Sequence, residues 1–112
     1  MLSEKKLLLK KDDIKELIKP MGGCYATSRI TVDGAKIGFM YREEPDFEYD
    51  SGWRFMAGDE TDEYMEETGN SGVYDVNAIA NYDQSIIPYL NLPQGAEMER
   101  VPNTDEFKAL GS

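Results

Sequence analysis

The residues best suited to chemistry lie in residues 41–64, YREEPDFEYDSGWRFMAGDETDEY. This stretch joins nine carboxylates to the only tryptophan of the chain, Trp53, and only Arg42 and Arg54 oppose them. Carboxylates at this density can bind a metal ion, act as acid and base in catalysis, or attract a cationic partner. The nine are Glu43, Glu44, Asp46, Glu48, Asp50, Asp59, Glu60, Asp62 and Glu63, and Glu66 and Glu67 follow directly.

A metal site is the first alternative, and a calcium loop around Asp59, Glu60, Asp62 and Glu63 is its best form. The order Asp-Glu-Thr-Asp-Glu-Tyr lacks the spaced ligands, central glycine and closing glutamate of an EF-hand. One cysteine and no histidine also exclude the usual zinc sites. We therefore predict no metal and no cofactor, and interpret this segment as the solvated start of a helix.

Catalysis is the second alternative. Acid–base catalysis by carboxylates needs one acid whose pKa differs from that of its neighbours, and the sequence sets none apart. Ser28 and Ser51 have no histidine to activate them, and the glycine pairs lack the spacing and lysine of a phosphate loop. We therefore predict no enzyme and no catalytic residues.

A cationic protein partner is the alternative that we favour. The net charge is −10, and residues 1–20 carry +2 (six lysines against four acids), so the rest carries −12. Such a surface repels nucleic acid and anionic membranes and attracts basic surfaces, although acidic surfaces also simply keep many proteins in solution. The predicted partner-binding residues are Glu43, Glu44, Asp46, Glu48, Asp50, Trp53, Asp59 and Glu60.

For four residues a structural role is favoured over a functional one. Arg42 and Arg54 are expected to hold the acidic loop through paired hydrogen bonds to carboxylates, rather than to face a partner. Trp53 is expected to be a core anchor, but would be an interface hot spot if its ring edge were exposed. Cys24 is expected to be a buried, inert thiol.

Turn signals and period-two alternation predict the strands. The clearest is 53–57, because Trp53 and Phe55 lie on one face while Arg54 and Met56 lie on the other. The other predicted strands are 24–28 with 30–32 as an extension, 35–42, 73–74 and 96–101. Capping residues predict short helices at 12–19, 59–67, 75–81 and from Ser85.

These elements predict an α+β domain, an antiparallel sheet of about four or five strands with short helices packed on it. We expect an N-terminal helical segment over 1–22, a single α+β domain over 23–102 and a mobile tail over 103–112. No apolar run approaches the roughly 20 residues that span a bilayer, so we expect a cytoplasmic protein without membrane contact.

Two stretches carry a family resemblance. They are SRITVDGAKIGFMYREEPDFEYDSGWRFMAGDETDEYM and GVYDVNAIANYDQSIIPYLNLPQGAEMERV, with Tyr41-Arg42-Glu43, 51–55 and 77–88 as their strongest pieces. Over residues 23–101 the chain resembles the bacterial domain of unknown function 2185 family (immunity protein 33-like).

The resemblance implies an immunity protein that binds and neutralises a cognate toxin, and it implies no catalytic residues. We therefore expect a protein-binding module whose acidic face meets a basic toxin protein. The alternative is a housekeeping domain that binds a small ligand in a pocket beside Trp53 and has no toxin partner. The oligomeric state is not predicted.

Overall fold

Short runs of alternating side chains form six strands within residues 7–110, the part of the chain that the computed structural model describes. They are β1 (Gly23–Thr27), β2 (Phe39–Arg42), β3 (Asp50–Met56), β4 (Ser71–Asp75), β5 (Glu97–Arg100) and β6 (Phe107–Ala109). The helices are α1 (Ser28–Thr31), α2 (Asp62–Glu66) and α3 (Val76–Tyr82), with 3-10 turns at Lys11–Asp13, Thr68–Asn70 and Gln84–Tyr89. The predicted α+β class is confirmed.

The strands pair in the order β4-β1-β3-β2-β5-β6, and the sheet is mixed rather than purely antiparallel. β1 runs parallel to β3, whereas the other four pairings are antiparallel. The long connection over residues 28–49, which contains α1 and β2, allows this parallel pairing. Parallel neighbours need a crossover of a dozen or more residues, and this segment supplies it.

Two predicted extended segments are not strands. Ile30 and Thr31 belong to α1 and Val32 caps it, because one helical turn buries Ile30 and Thr31 and lets Arg29 reach Asp33 at the i+4 position. β2 begins at Phe39 rather than at residue 35, since the N–H of Ile37 donates to Asp83 (2.9 Å) instead of to a neighbouring strand.

The predicted helix over residues 12–19 is also wrong, apart from the 3-10 turn at Lys11–Asp13. Side chains of α3 bind the backbone there instead. Asn77 accepts hydrogen bonds from the N–H groups of Leu17 (2.8 Å) and Ile18 (3.2 Å), and its amide donates to the carbonyl of Lys15 (2.8 Å). Backbone groups satisfied in this way do not need helical partners.

The C-terminal segment contains a strand that the sequence did not predict. β6 pairs with β5, and Phe107 is buried with its ring edge-on to Tyr89 at 5.2 Å. A single aromatic residue in a short, mostly polar segment is too weak a signal to predict a strand. The boundaries at residues 22 and 102 stay a prediction, and residues 1–6 and 111–112 of the outer segments lie outside the described residues.

The core lies on one side of the sheet. It joins strand side chains to α1, α3 and the turn at Gln84–Tyr89, and its largest members are Trp53, Phe55, Ile30, Ile37, Met40, Ile79, Ile86 and Val76. Cys24 is buried, as predicted. Among the described residues, no helix is long and apolar enough to cross a membrane.

Candidate functional site

The side of the sheet opposite the core carries a second set of strand side chains, which we call the open face. Cross-strand pairing places Val73, Tyr25, Arg54, Tyr41 and Glu97 in one row across β4, β1, β3, β2 and β5. Alternation along the strands adds Thr27, Met56, Phe39 and Glu99. Within the described residues, the helices that build the core cover only the other side.

Arg54 is the buried centre of this row. Its guanidinium donates to both carboxylate oxygens of Asp50, at 3.0 and 2.8 Å, and its Nε donates to Glu43 at 2.6 Å. The guanidinium carbon lies 4.4 Å from the ring centroid of Tyr25. The predicted role of Arg54 as an anchor of the acidic loop is therefore confirmed.

The carboxylate of Asp50 makes four hydrogen bonds, as many as the guanidinium of Arg54. Besides the two bonds from Arg54, it accepts the N–H groups of Asp46 (2.7 Å) and Gly52 (2.9 Å). The bonds from Arg54, followed by those from the backbone, lower the pKa of Asp50 to about 2 although burial opposes this shift. Asp50 is therefore ionised at neutral pH.

A pocket of about 180 Å³ opens above this ion pair. Its walls include Tyr25, Thr27, Tyr41, Glu43 and Met65, and Arg54 is also part of its lining. Burial, reinforced by the charge of Glu43, raises the pKa of Tyr41, so its ring is a neutral phenol at physiological pH. The pocket thus presents aromatic faces and one half-exposed carboxylate.

The acidic loop (residues 43–49) borders the open face. Glu43, Glu44, Asp46 and Glu48 are exposed there. The hydroxyl of Tyr25 donates to Asp46 (2.8 Å), and Phe47 packs edge-on against the Tyr25 ring. The structure therefore brings these four predicted residues together beside an aromatic surface.

Tyr49 stands at the end of the acidic loop with 81% of its surface exposed. Its φ is +67°, a backbone conformation that a tyrosine rarely adopts. The carbonyl of Tyr49 accepts the N–H of Gly23 at 2.7 Å, which holds this conformation in place. A large aromatic side chain is thereby held out in solvent.

Of the other four predicted residues, Trp53 and Asp50 are buried. Trp53 is 0% exposed and its indole N–H donates to the carbonyl of Leu90 (3.1 Å), and the side chain of Asp50 is fully buried. Their assignment to a partner-facing surface is corrected for that reason. Trp53 is instead the core anchor that the alternation of β3 indicated.

Asp59 and Glu60 are exposed or partly exposed, but their carboxylates bind groups of the same chain. Asp59 accepts two hydrogen bonds from Arg29, at 3.0 and 2.8 Å, and these bonds lower its pKa. Glu60 accepts the hydroxyl of Thr27 (2.5 Å) and the N–H groups of Ala57 and Gly58. Both carboxylates therefore shape the loop after β3.

Arg42 has a different role from the predicted one. Its guanidinium donates to the backbone carbonyls of Ser51 (2.9 Å) and Leu92 (2.8 Å), and it lies 5.7 Å from the Trp53 ring. It lies on the core side of β2 and ties β3 to the segment after Gln84–Tyr89.

The aromatic part of the site was missed from the sequence. Tyr25 and Thr27 alternate with the buried Cys24 and Ala26, so the polar face of β1 was visible as a pattern. What the pattern cannot show is that the helices of the core, α1 and α3, pack on the other side of the sheet and leave this face open. Among residues 7–110, no group of three or more potential ligands is arranged to hold a metal ion.

The arrangement is therefore suited to binding: carboxylates beside neutral aromatic rings attract a cationic surface. No curated protein and no solved structure matches the chain. The family described as the Immunity protein Imm33 domain matches residues 24–110. That match includes β6 and most of the open face, and by it the chain belongs to the Imm33 immunity protein family.

Proposed function

We propose that this protein is a non-enzymatic immunity protein that binds and neutralises a cognate toxin through the acidic loop and the open face. One observation carries the proposal. The open face joins exposed apolar and aromatic side chains to the exposed carboxylates of the acidic loop. Membership in an immunity protein family supports a toxin as the partner.

The two parts of this surface contribute differently. Glu44 and Glu48 are exposed and make no ion pair within the described residues, so their charge accelerates encounter with a basic surface. Affinity comes from exposed side chains whose apolar surface is buried on binding. These are Tyr49, Val73 and Met65, which are 81%, 57% and 39% exposed. Such division of labour is common at protein interfaces.

Neutralisation by this surface needs no chemistry of its own. A toxin that acts on nucleic acid has a basic cleft, and a rigid acidic surface that fills the cleft excludes the substrate. The buried Arg54–Asp50 pair holds the acidic loop on the sheet, which limits the entropy lost on binding.

The size of the pocket above Arg54 counts against binding of a drug-sized small molecule on the open face. Pockets for drug-sized ligands have volumes of about 300–1,000 Å³. The pocket above Arg54 has a volume of about 180 Å³. Its position in the middle of an exposed face instead suits contact with another protein.

Co-expression with the protein encoded by the neighbouring gene tests the proposal. We expect the wild-type chain to restore growth and to co-purify with the toxin. A loop variant with Glu44→Gln, Asp46→Asn and Glu48→Gln should lose both. A control variant with Asp12→Asn, Glu16→Gln and Glu106→Gln changes the net charge equally at exposed sites outside the acidic loop and should retain both. Equal loss in the two variants would contradict the proposed surface.

A further inference from the structure

Resting on the proposed function, we propose that the pocket above Arg54 receives one cationic side chain of the toxin, an arginine or a lysine. The pocket is placed where a partner lying on the open face would cover it, at the centre of the row from Val73 to Glu97. It is therefore placed to bind a single side chain of the partner.

The charge of the pocket selects a cation. Arg54 contributes +1, while Asp50 and Glu43 contribute −1 each, which leaves the trio at −1. Asp46 binds the hydroxyl of the wall residue Tyr25, and Glu97 pairs with Tyr41 across the strands, so both neighbours of the trio add negative charge. An acidic side chain entering here would be repelled.

The charge of Arg54 is outweighed by the carboxylates of Asp50 and Glu43, and most of its N–H groups already donate to acceptors of this chain. Four of its five N–H groups donate to Asp50, Glu43 and the carbonyl of Trp53. Its part is that of a positioning residue: it binds one oxygen of Glu43. The other Glu43 oxygen makes no hydrogen bond within the described residues, and the side chain is 51% exposed.

The walls suit the rest of such a side chain. Neutral tyrosine rings attract cations through their faces, and Tyr41 adds a ring beside Tyr25, which already stacks on Arg54. Met56 and Met65 offer flexible apolar contact for an aliphatic stem. A volume of about 180 Å³ corresponds to roughly six waters at about 30 Å³ each. That is the size of one side chain rather than of a larger ligand.

NMR titration with N-acetyl-arginine methylamide tests the pocket without the toxin. We expect saturable shifts confined to Tyr25, Thr27, Tyr41 and Met65, and the lysine analogue should give the same pattern. The neutral citrulline analogue and N-acetyl-glutamate methylamide should give none. Glu43→Gln should lower the affinity for the arginine probe at least threefold, whereas the adjacent Glu44→Gln should change that affinity less than 1.5-fold.

Three outcomes would contradict the proposed cation pocket. They are citrulline binding as tight as arginine binding, equal effects of the two substitutions on affinity, or preferential binding of the glutamate probe. A thermal melt of Glu43→Gln shows that the variant is folded, since the Arg54–Asp50 pair remains. Toxin binding that Glu43→Gln leaves unchanged also overturns the pocket but leaves the proposed function standing. Failure of the toxin to bind the wild-type chain overturns the proposed function instead, and the probe result still decides the chemistry of the pocket.

Discussion

Asp50 and Arg54 form a two-point salt bridge although they are four residues apart on a single strand. In a regular strand their Cα atoms would be about 13 Å apart. The register with β1 explains the contact: Gly23 pairs with Asp50 and Tyr25 with Arg54, so β3 has two more residues than β1 over this interval. The resulting bulge draws the two side chains together beneath the open face.

The bulge depends on Gly52, whose φ is +91°. A Cβ at this position would lie 2.2 Å from the carbonyl oxygen of Glu43, which is backbone. We expect Gly52→Ala to lower the free energy of unfolding by more than about 1 kcal/mol, measured by urea denaturation. Gly69→Ala is the matched control, because a Cβ there meets nothing within 4 Å. Equal stability of the two variants would show that the bulge is not strained by a side chain.

Stability should fall in acid because of Asp50. Its pKa is lowered from 3.8 to about 2 in the folded protein, so the stabilisation is present above pH 3.8 and is lost as the pH falls through 2. A shift of this size corresponds to about 2 kcal/mol. Carboxyl-detected NMR should show Asp50 titrating near pH 2, and urea unfolding should show the matching loss. An Asp50 pKa close to 3.8 in the folded protein contradicts the assignment.

Cys24 should react with thiol reagents only when the protein unfolds. It is 0% exposed, and burial raises the pKa of its thiol, with the charge of Asp75 adding to this effect. Thiolate is the reactive form, so both its scarcity and its burial prevent attack. We expect labelling by a disulfide reagent to be rapid in concentrated urea and to follow global unfolding in buffer. Rapid labelling of the folded protein would contradict a buried, protonated thiol at Cys24.

The side chain of Asn77 should hold residues 15–18 in place against α3. Asn77→Ala removes the acceptor of the Leu17 and Ile18 N–H groups and the donor to Lys15. We expect hydrogen exchange at Leu17 and Ile18 to accelerate while exchange in the sheet changes little, at a cost of about 1–3 kcal/mol. Asn91→Ala, at an exposed position, is the control and should leave both rates unchanged. Unchanged exchange at Leu17 in Asn77→Ala would contradict the contact.

The sequence predicted those features that depend on local pattern. Alternation in β3 identified Trp53 and Phe55 as core residues, and the closeness of Arg54 to the acidic loop predicted their ion pair. Features that depend on distant segments were not predictable. The parallel pairing of β1 with β3 depends on where the chain returns to the sheet after the connection over residues 28–49. No residue in either strand indicates that position.

The candidate site shows the same division. Four of the carboxylates predicted to bind a partner lie together on the acidic loop, because neighbours in sequence stay neighbours in a short loop. The burial of Asp50 was not predictable, since it depends on the bulge at Gly52 and on the position of Arg54. Tyr25 and Met65 reach the site from separate elements, and only the fold brings them together.

The most direct test of the central claim is the association rate with the cognate toxin, measured by stopped flow against ionic strength. The loop variant (Glu44→Gln, Asp46→Asn, Glu48→Gln) should associate about tenfold more slowly than the control variant (Asp12→Asn, Glu16→Gln, Glu106→Gln) at low salt. The two rates should converge at about 1 M salt, where charges are screened within about 3 Å. Equal association rates for the two variants at low salt would contradict an acidic loop that docks on a basic toxin.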